Sequence, residues 1–373
     1  MISLLFILMA IVFGFFVYRK GASLAVATVA GVIGIVVCLV VGLNFHPIYL
    51  STTAWMWICG AYILVASVTP VWILLQPRDY LSSFLLYAMM ILAIVGVIGC
   101  HPTLDMPAFT GFKDTIAPTG SSLGYMFPAL FVTIACGAIS GFHATQSPLM
   151  ARCVGNEREC RSVFYGAMIS ESVIALIWAA VAMAFFGGAG GLSEALGEHG
   201  NSAAWAVDTI SNGTLGVVGG ILALLGVVAA PITSGDTAFR SARLIIADML
   251  HIDQRSKLKR FYICIPLFAV GYGITLVDFD VVWRYFAWTN QTLATIVLWA
   301  VVVYMVRRRS NRWVALLPAV FMTFVCASFV FVSGQFFGME NRTAAYLLGG
   351  AATLAVLVLM LFKLRRDDAQ SLS

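Results

Sequence analysis

The chain has 373 residues, 61% of them hydrophobic and only 10% charged, and its mean hydropathy is +0.95. A soluble domain carries roughly 45–50% apolar and about 25% charged residues, so this composition excludes a water-soluble globule and specifies an all-α membrane protein in a lipid bilayer. The net charge of +5 does not argue for nucleic acid, because the basic residues fall in short loops between apolar runs and form no single patch.

Eleven apolar runs, each about long enough to cross a bilayer, lie near residues 2–18, 22–43, 54–75, 81–99, 125–141, 163–186, 214–231, 261–277, 286–306, 313–333 and 344–362. Alternating loops place nineteen of the 22 Lys and Arg residues on one side; the other side receives only Lys113, Arg284 and Arg342. That asymmetry predicts an external N-terminus and a cytoplasmic C-terminus. The spans form one polytopic domain, 1–362, and residues 363–373 a short polar cytoplasmic tail expected to be disordered. Met1 leads straight into an apolar run without an n-region charge or a small-residue cleavage site, which is no signal peptide and suggests further helices upstream.

The third run ends in TPVWILLQPRDYLSSF, with Pro70 inside it and Pro77-Arg78-Asp79 at its cytoplasmic end. The adjacent Arg78 and Asp79 read either as a charged turn or as a gate that breaks and remakes ion pairs. External loops 100–124 and 187–212 carry Asp105, Asp114, Glu194, Glu198 and Asp208 among glycines and prolines; they are expected to be irregular caps.

In CGAISGFHATQSPLMARCVGNERECR (136–161), an apolar run ends at Ser140-Gly141, and His143, Thr145, Gln146 and Ser147 precede Pro148 and a basic stretch. His143 is either a hydrogen-bonded interior histidine or a group that titrates near neutral pH. Glu171 follows about two turns into the next run, where a charge at mid-span costs roughly 2.5–3.5 kcal/mol. It either snorkels to the interface or remains protonated, or it faces a partner, a cavity or a proton path.

The stretch APITSGDTAFRSARLIIAD (230–248) repeats this punctuation. Pro231 frees a carbonyl and Ser234-Gly235 disfavours continuation, so a helix break is expected at 231–236. Ser234 or Asp236 then caps a short interfacial helix over SARLIIADML, or the freed amides hold an anion. Farther on, DFDVVWRYFAWTNQTLATIVLW sets Asp278, Asp280 and Arg284 at an external entrance and buries Asn290, Gln291 and Thr292 in an aromatic helix. These amides either join helices or contact a polar solute. Eight scattered cysteines show neither a disulfide framework nor a metal-ligand spacing. Neither a cofactor motif nor an enzyme's catalytic spacing is present: no Walker A loop, GxSxG or HExxH occurs. An intramembrane enzyme using His143 or a cysteine is a remote alternative. Discontinuous helices facing a midplane site are how many secondary transporters hold solute and ions.

LLQPRDYLSSFLLY, the 136–161 motif with its flanks, APITSGDTAFRSARLIIAD and DFDVVWRYFAWTNQTLATIVLWA together resemble the carbon starvation protein family of bacterial inner-membrane transporters over about residues 54–325. The resemblance implies the inverted-repeat fold of amino-acid transporters. It further implies proton-coupled import of a peptide or of pyruvate when preferred carbon sources are scarce. On this basis Ser140, His143, Gln146, Asn290, Gln291, Ser234 and Asp236 are candidates to line the substrate and proton region, Glu171 to carry the proton, and Arg78 with Asp79 to form the cytoplasmic gate. A substrate carboxylate could meet an arginine or a helix N-terminus; Arg240 and Arg152 both remain open for that role. The family carries helices, including a Gly-Pro-rich segment, that have no equivalent here. The rival readings are a membrane sensor or half of a split transporter, completed by a partner that supplies the N-terminal helices.

Overall fold

The computed structural model describes all residues except 1, 46–48, 71–72, 101–102, 104–108, 110, 113–125, 135–138, 200–202, 255, 278 and 371–373. The described residues form helices and connecting turns. In chain order these are α1 (Ile2–Gly14), α2 (Leu24–Asn44), α3 (Thr52–Val68), α4 (Leu75–Cys100), α5 (Met126–Thr133), α6 (Phe142–Ala151), α7 (Ala167–Phe185), α8 (Ala189–Glu198), α9 (Ala203–Met249), α10 (Lys257–Thr275), α11 (Phe279–Arg307), α12 (Trp313–Val332) and α13 (Arg342–Gln370).

Six described helical stretches are long and apolar enough to cross a membrane: Leu24–Gly42, Leu75–Gly99, Glu157–Phe185, Tyr285–Arg307, Trp313–Val332 and Arg342–Leu364. Leu5–Arg19 and Thr53–Val68 are apolar but shorter. The chain is therefore a multi-pass helical membrane protein. Exposed Val26, Val29, Ile33, Val36, Val37 and Val40 along α2 are what a lipid-facing helix requires, since hydrocarbon tolerates apolar side chains and penalises unpaired polar ones.

The chain divides into two compact units, Met1–Asp105 with Ile177–Leu276, and Met106–Leu176 with Val277–Ser373. In the first, α1, α2 and α4 enclose Phe6, Ala10, Phe13, Ala27, Ile35, Leu81 and Leu85. Tyr80 reaches from α4 to share a 2.8 Å hydrogen bond with Thr28 of α2. Helix α9 lies against α3, α4 and α10, with Phe239 stacked on Phe268 at 4.0 Å between centroids.

In the second unit, Trp299, Val302 and Val306 of α11 pack with Ala315, Leu316 and Ala319 of α12 and Leu364 of α13. The indole of Trp299 donates to Thr323 at 3.0 Å, and the Tyr346 hydroxyl donates to the Phe127 carbonyl at 2.9 Å. Buried aromatic polar tips thus find partners inside one unit, as a lipid-embedded core demands.

Several expectations from sequence give way to tertiary contacts. The chain runs helically through Pro231, Ser234, Gly235 and Asp236, and the only non-helical residue recorded inside α9 is Gly216, at φ 64° and ψ −163°. That conformation suits a residue without a Cβ. Gly235 serves close packing instead of a break: a Cβ there would stand 3.2 Å from Ile63 of α3. The segment SARLIIADML is the continuation of α9 to Met249 and not a separate interfacial helix. Ser234 and Asp236 lie mid-helix and therefore cap nothing.

The run 125–141 is not one helix, since α5 ends at Thr133 and residues 139–141 are non-helical. The expected interruption at Ser140-Gly141 is present. Within 187–212 the expected irregular cap is replaced by α8 and the start of α9; Leu192 and Leu196, one turn apart, give α8 an apolar edge. Most of loop 100–124, with Asp105 and Asp114, lies outside the described residues, as does Asp278. Helix α13 continues to Gln370, so the described part of the tail is helical where disorder was expected.

At the interruption, a Cβ on Gly141 would fall 2.3 Å from the Asn290 carbonyl oxygen and 2.8 Å from Leu293 Cβ. Backbone cannot yield as a flexible side chain can. We expect Gly141→Ala to destabilise the protein by about 1–3 kcal/mol, the usual cost of overpacking. Gly273→Ala, on a helix with open space at its Cβ, should be neutral or slightly stabilising. Thermal unfolding of the detergent-solubilised protein compares the two.

Candidate functional site

In the first unit, the sequence QPRDY starts α4 so that Arg78 points into the bundle, and the α9 register brings Asp236 to meet it. Arg78 is 1% exposed and Asp236 fully buried. Nη1 of Arg78 donates to Asp236 Oδ2, and Nη2 donates to Asp236 Oδ1 at 3.1 Å, the two-pronged arrangement that suits a planar guanidinium. Nη1 also donates to the Tyr62 hydroxyl at 2.8 Å. Asp79, which is half-exposed, accepts from Arg78 Nε at 3.3 Å and Nη2 at 3.0 Å. One arginine therefore joins α3, α4 and α9.

Around this pair lie Arg240, one of the two arginines left open for a substrate carboxylate, and Arg260, which the sequence offered only as a topology signal. Arg240 donates from Nη2 to the Ala66 carbonyl. Arg260 donates from Nη1 to the Val68 carbonyl at 3.0 Å and from Nε to Gln254 at 2.7 Å. Ala66 and Val68 belong to the last turn of α3, whose unpaired carbonyls and negative dipole end attract cations. Ser234, expected beside Asp236 in function, is exposed, and Arg152 of the second unit is exposed as well. The i, i+3 spacing of Arg240 and Arg243 was a readable sign of a shared helix face; nothing in the sequence singled out Tyr62.

In the second unit, the break at 139–141 is stitched to α11 by Asn290. The Asn290 carboxamide oxygen accepts from the Phe142 amide at 3.1 Å and from Ser140 Oγ at 3.3 Å. Its Nδ2 lies 3.3 Å from Ser140 Oγ, and Phe142 N also reaches Ser140 Oγ at 3.2 Å. The first turn of α6 has free amides, and here a side chain from a distant helix caps them.

His143 then stands one residue inside α6, with Nδ1 3.0 Å from the Ser140 carbonyl. A carbonyl only accepts, so Nδ1 carries the proton of the neutral ring and Nε2 is left as the acceptor. Nε2 lies 4.0 Å from Glu171 Oε2, with both side chains partly exposed. Glu171 sits near the middle of the helical stretch Glu157–Phe185, where a carboxylate calls for a partner.

Gln291 is 1% exposed, and neither its amide oxygen nor its nitrogen has a hydrogen-bond partner among the described residues. The same holds for Nε2 of Gln146. A groove of about 460 Å³ lined by Ile296, Trp299, Ala300, Val303, Val356, Met360 and Lys363 offers one charged group and is otherwise apolar. Among the described residues no group of three His, Cys, Asp or Glu could hold a metal ion.

The structure thus brings Arg78, Asp79 and Asp236 together in one unit. In the other it brings together Ser140 with Asn290, and His143 with Glu171. A capping Asp236 would tolerate Asn; a carboxylate neutralising a buried guanidinium does not. We expect Asp236→Asn to cost up to about 3–5 kcal/mol, as loss of one partner of a buried pair does. The double variant Arg78→Met/Asp236→Leu should recover most of that loss, as thermal unfolding of the purified variants would show.

The family model described as carbon starvation protein CstA matches residues 1–223, beginning and ending earlier than the motif-based range 54–325. The Escherichia coli protein named peptide transporter CstA is 30% identical over 334 residues, covering 71% of this chain and 47% of that protein. The Escherichia coli pyruvate/proton symporter BtsT is 42% identical over 117 residues, 31% of this chain and 16% of its own length. A Haemophilus influenzae protein named only as uncharacterized is 56% identical over 113 residues, 30% of this chain and 82% of that one. The chain thus spans about half the length of the Escherichia coli peptide transporter. No solved structure matches. With more than half of its length matched by the family model, this chain belongs to the carbon starvation protein CstA family.

Proposed function

We propose that this chain is a secondary active transporter of the bacterial inner membrane that imports a small carboxylate-bearing solute, a peptide or pyruvate, together with a proton. The observation that carries the reading is the His143–Glu171 pair beside a helix interruption stitched by Asn290. Two relatives named as a peptide transporter and a pyruvate/proton symporter support the solute class and the proton. In this reading about eleven spans adopt an inverted-repeat transporter fold with the N-terminus outside and the C-terminus in the cytoplasm, and the protein serves cells short of preferred carbon sources.

The proton step follows from the tautomer. In this reading His143 Nε2 accepts the transported proton, with the Glu171 carboxylate 4.0 Å away as the facing counter-charge. The Ser140 carbonyl keeps the ring oriented throughout. Gln146 and Gln291 present amide groups that suit a polar solute, because an orphaned buried amide is costly unless something occupies it, and Ser140 and Asn290 complete the proposed region as an already paired hydroxyl and amide. Arg78 and Asp79 then act as a gate in which the exposed Asp79 exchanges its hold on Arg78 while Asp236 stays paired.

Uptake of labelled pyruvate and of a labelled dipeptide into proteoliposomes holding only this chain, with and without an inward proton gradient, tests the reading and separates the substrates. Gradient-stimulated uptake of one of them is expected, and Glu171→Gln should abolish the stimulation while leaving solute exchange at equal pH. No uptake of either solute by folded protein would overturn transport by this chain alone and favour a sensor or a half-transporter with a partner.

A further inference from the structure

The positively charged cluster of the first unit is not balanced by the carboxylates around it. Arg243 is 4% exposed and so is Arg240. The charges within electrostatic reach of Arg240 are Arg243, Arg260 and Arg78 against Asp236, and Arg243 is within reach of Arg260 and Cys264. Asp236 is already taken by Arg78, and Asp79 is shared with it. Nε and Nη1 of Arg243, and Nε of Arg240, have no hydrogen-bond acceptor among the described residues.

A buried cation without a counter-charge costs several kcal/mol, and each buried donor without an acceptor adds about 1–3 kcal/mol. Arg240 and Arg260 have a structural duty, holding the C-terminal carbonyls of α3. Among the described residues Arg243 has none of that kind. Arg240 and Arg243 stand one turn apart on α9 and so share a face, with Arg260 of α10 beside them. What complements such donors is an oxyanion: a carboxylate accepts two parallel N–H bonds from one guanidinium and supplies the missing charge.

We propose that Arg243 and Arg240 form a carboxylate-binding site in the first unit, with Arg243 as the principal ligand. The proposal rests on the transporter reading for its occupant, the carboxylate of the transported solute. The cluster is not sealed, because half-exposed Asp79 lies within electrostatic reach of Arg240 and Arg260 is only partly buried. An incoming carboxylate can therefore reach Arg243 and supply the acceptor and the charge it lacks, while Arg78 keeps its bonds to Asp236 and Asp79. A solute without a carboxylate cannot supply the charge, so the site selects by chemistry before it selects by size.

The test is equilibrium binding to the purified full chain of pyruvate, alanyl-alanine, the C-terminal amide of alanyl-alanine, and inorganic phosphate, followed by tryptophan fluorescence or calorimetry. Pyruvate and the free dipeptide should bind, and the amide should bind at least about tenfold more weakly, the loss of one charge-assisted pair. Arg243→Lys, which keeps the charge and loses the planar fork, should weaken both carboxylates about tenfold without lowering the unfolding temperature. Arg243→Leu should abolish their binding while the protein stays folded, since removing an uncompensated buried charge does not destabilise.

Carboxylate affinity unchanged in both variants, no carboxylate binding by the wild type, or displacement by phosphate or by phosphatidylglycerol vesicles in preference to carboxylates would overturn the site. Arg243-dependent binding without uptake in proteoliposomes would keep the site and remove transport. Uptake with Arg243-independent binding would do the reverse.

Discussion

The bond that the first unit depends on is the pairing of Arg78 with Asp236. Both groups are withdrawn from water, and in a lipid-embedded protein neither can find water nearby as a substitute. Their pairing fixes how α4 lies against α9, because two parallel hydrogen bonds between planar groups allow little sliding or rotation. Once that register is set, Gly235 must face Ile63 closely, and Arg240 arrives one turn farther along at the end of α3. The helix consequently continues through Pro231. Losing a backbone bond at a proline costs about 3 kcal/mol, comparable with the about 3–5 kcal/mol at stake if Asp236 left Arg78 unpaired.

The second unit handles its charges differently. His143 and Glu171 are both partly exposed and stand 4.0 Å apart, close enough for attraction and too far for a direct hydrogen bond. The Arg78–Asp236 pair, by contrast, is a direct two-pronged contact between buried groups. The looser pair has one ring nitrogen committed to a backbone carbonyl and the other facing Glu171 without a direct hydrogen bond, the arrangement that the proposed proton step uses. Rigidity around it comes from neutral groups: Asn290 caps α6, and Gly141 lets that turn approach the α11 backbone without a Cβ in the way.

Hydropathy made the membrane class legible, because a chain that is 61% hydrophobic can meet only lipid with so much apolar surface. The Ser140-Gly141 interruption was legible too, since residues around it lose apolar character while glycine removes the Cβ. The same reading failed at Pro231–Asp236, where punctuation is local and the deciding contact is with a residue 158 positions away. His143 and Glu171 were each suspect from the cost of a titratable group at depth, yet their pairing depends on how α6 turns back, which no local pattern encodes. Arg240 was legible as one of two candidates for a substrate carboxylate, whereas Arg243 and Arg260 entered only as markers of a membrane side. Counting basic residues assigns a side of the membrane, and it does so equally well for a solvated arginine and for one buried against a helix end.

These two arrangements have complementary electrical consequences under the proposed function. Moving one elementary charge across a membrane is worth about 2.3 kcal/mol per 100 mV, so an anion entering a cell that is negative inside travels against that potential. A carboxylate accompanied by one proton carries no net charge and escapes the opposition. An arginine site neutralises the solute where it is bound, and a histidine beside a glutamate gains one positive charge when it accepts the proton. If the two events are linked one to one, the loaded protein exposes no uncompensated charge to the low-dielectric interior in either unit. The surplus guanidinium that is costly in the empty protein then favours the loaded one, which is the difference in free energy a carrier needs in order to bind an anion out of water.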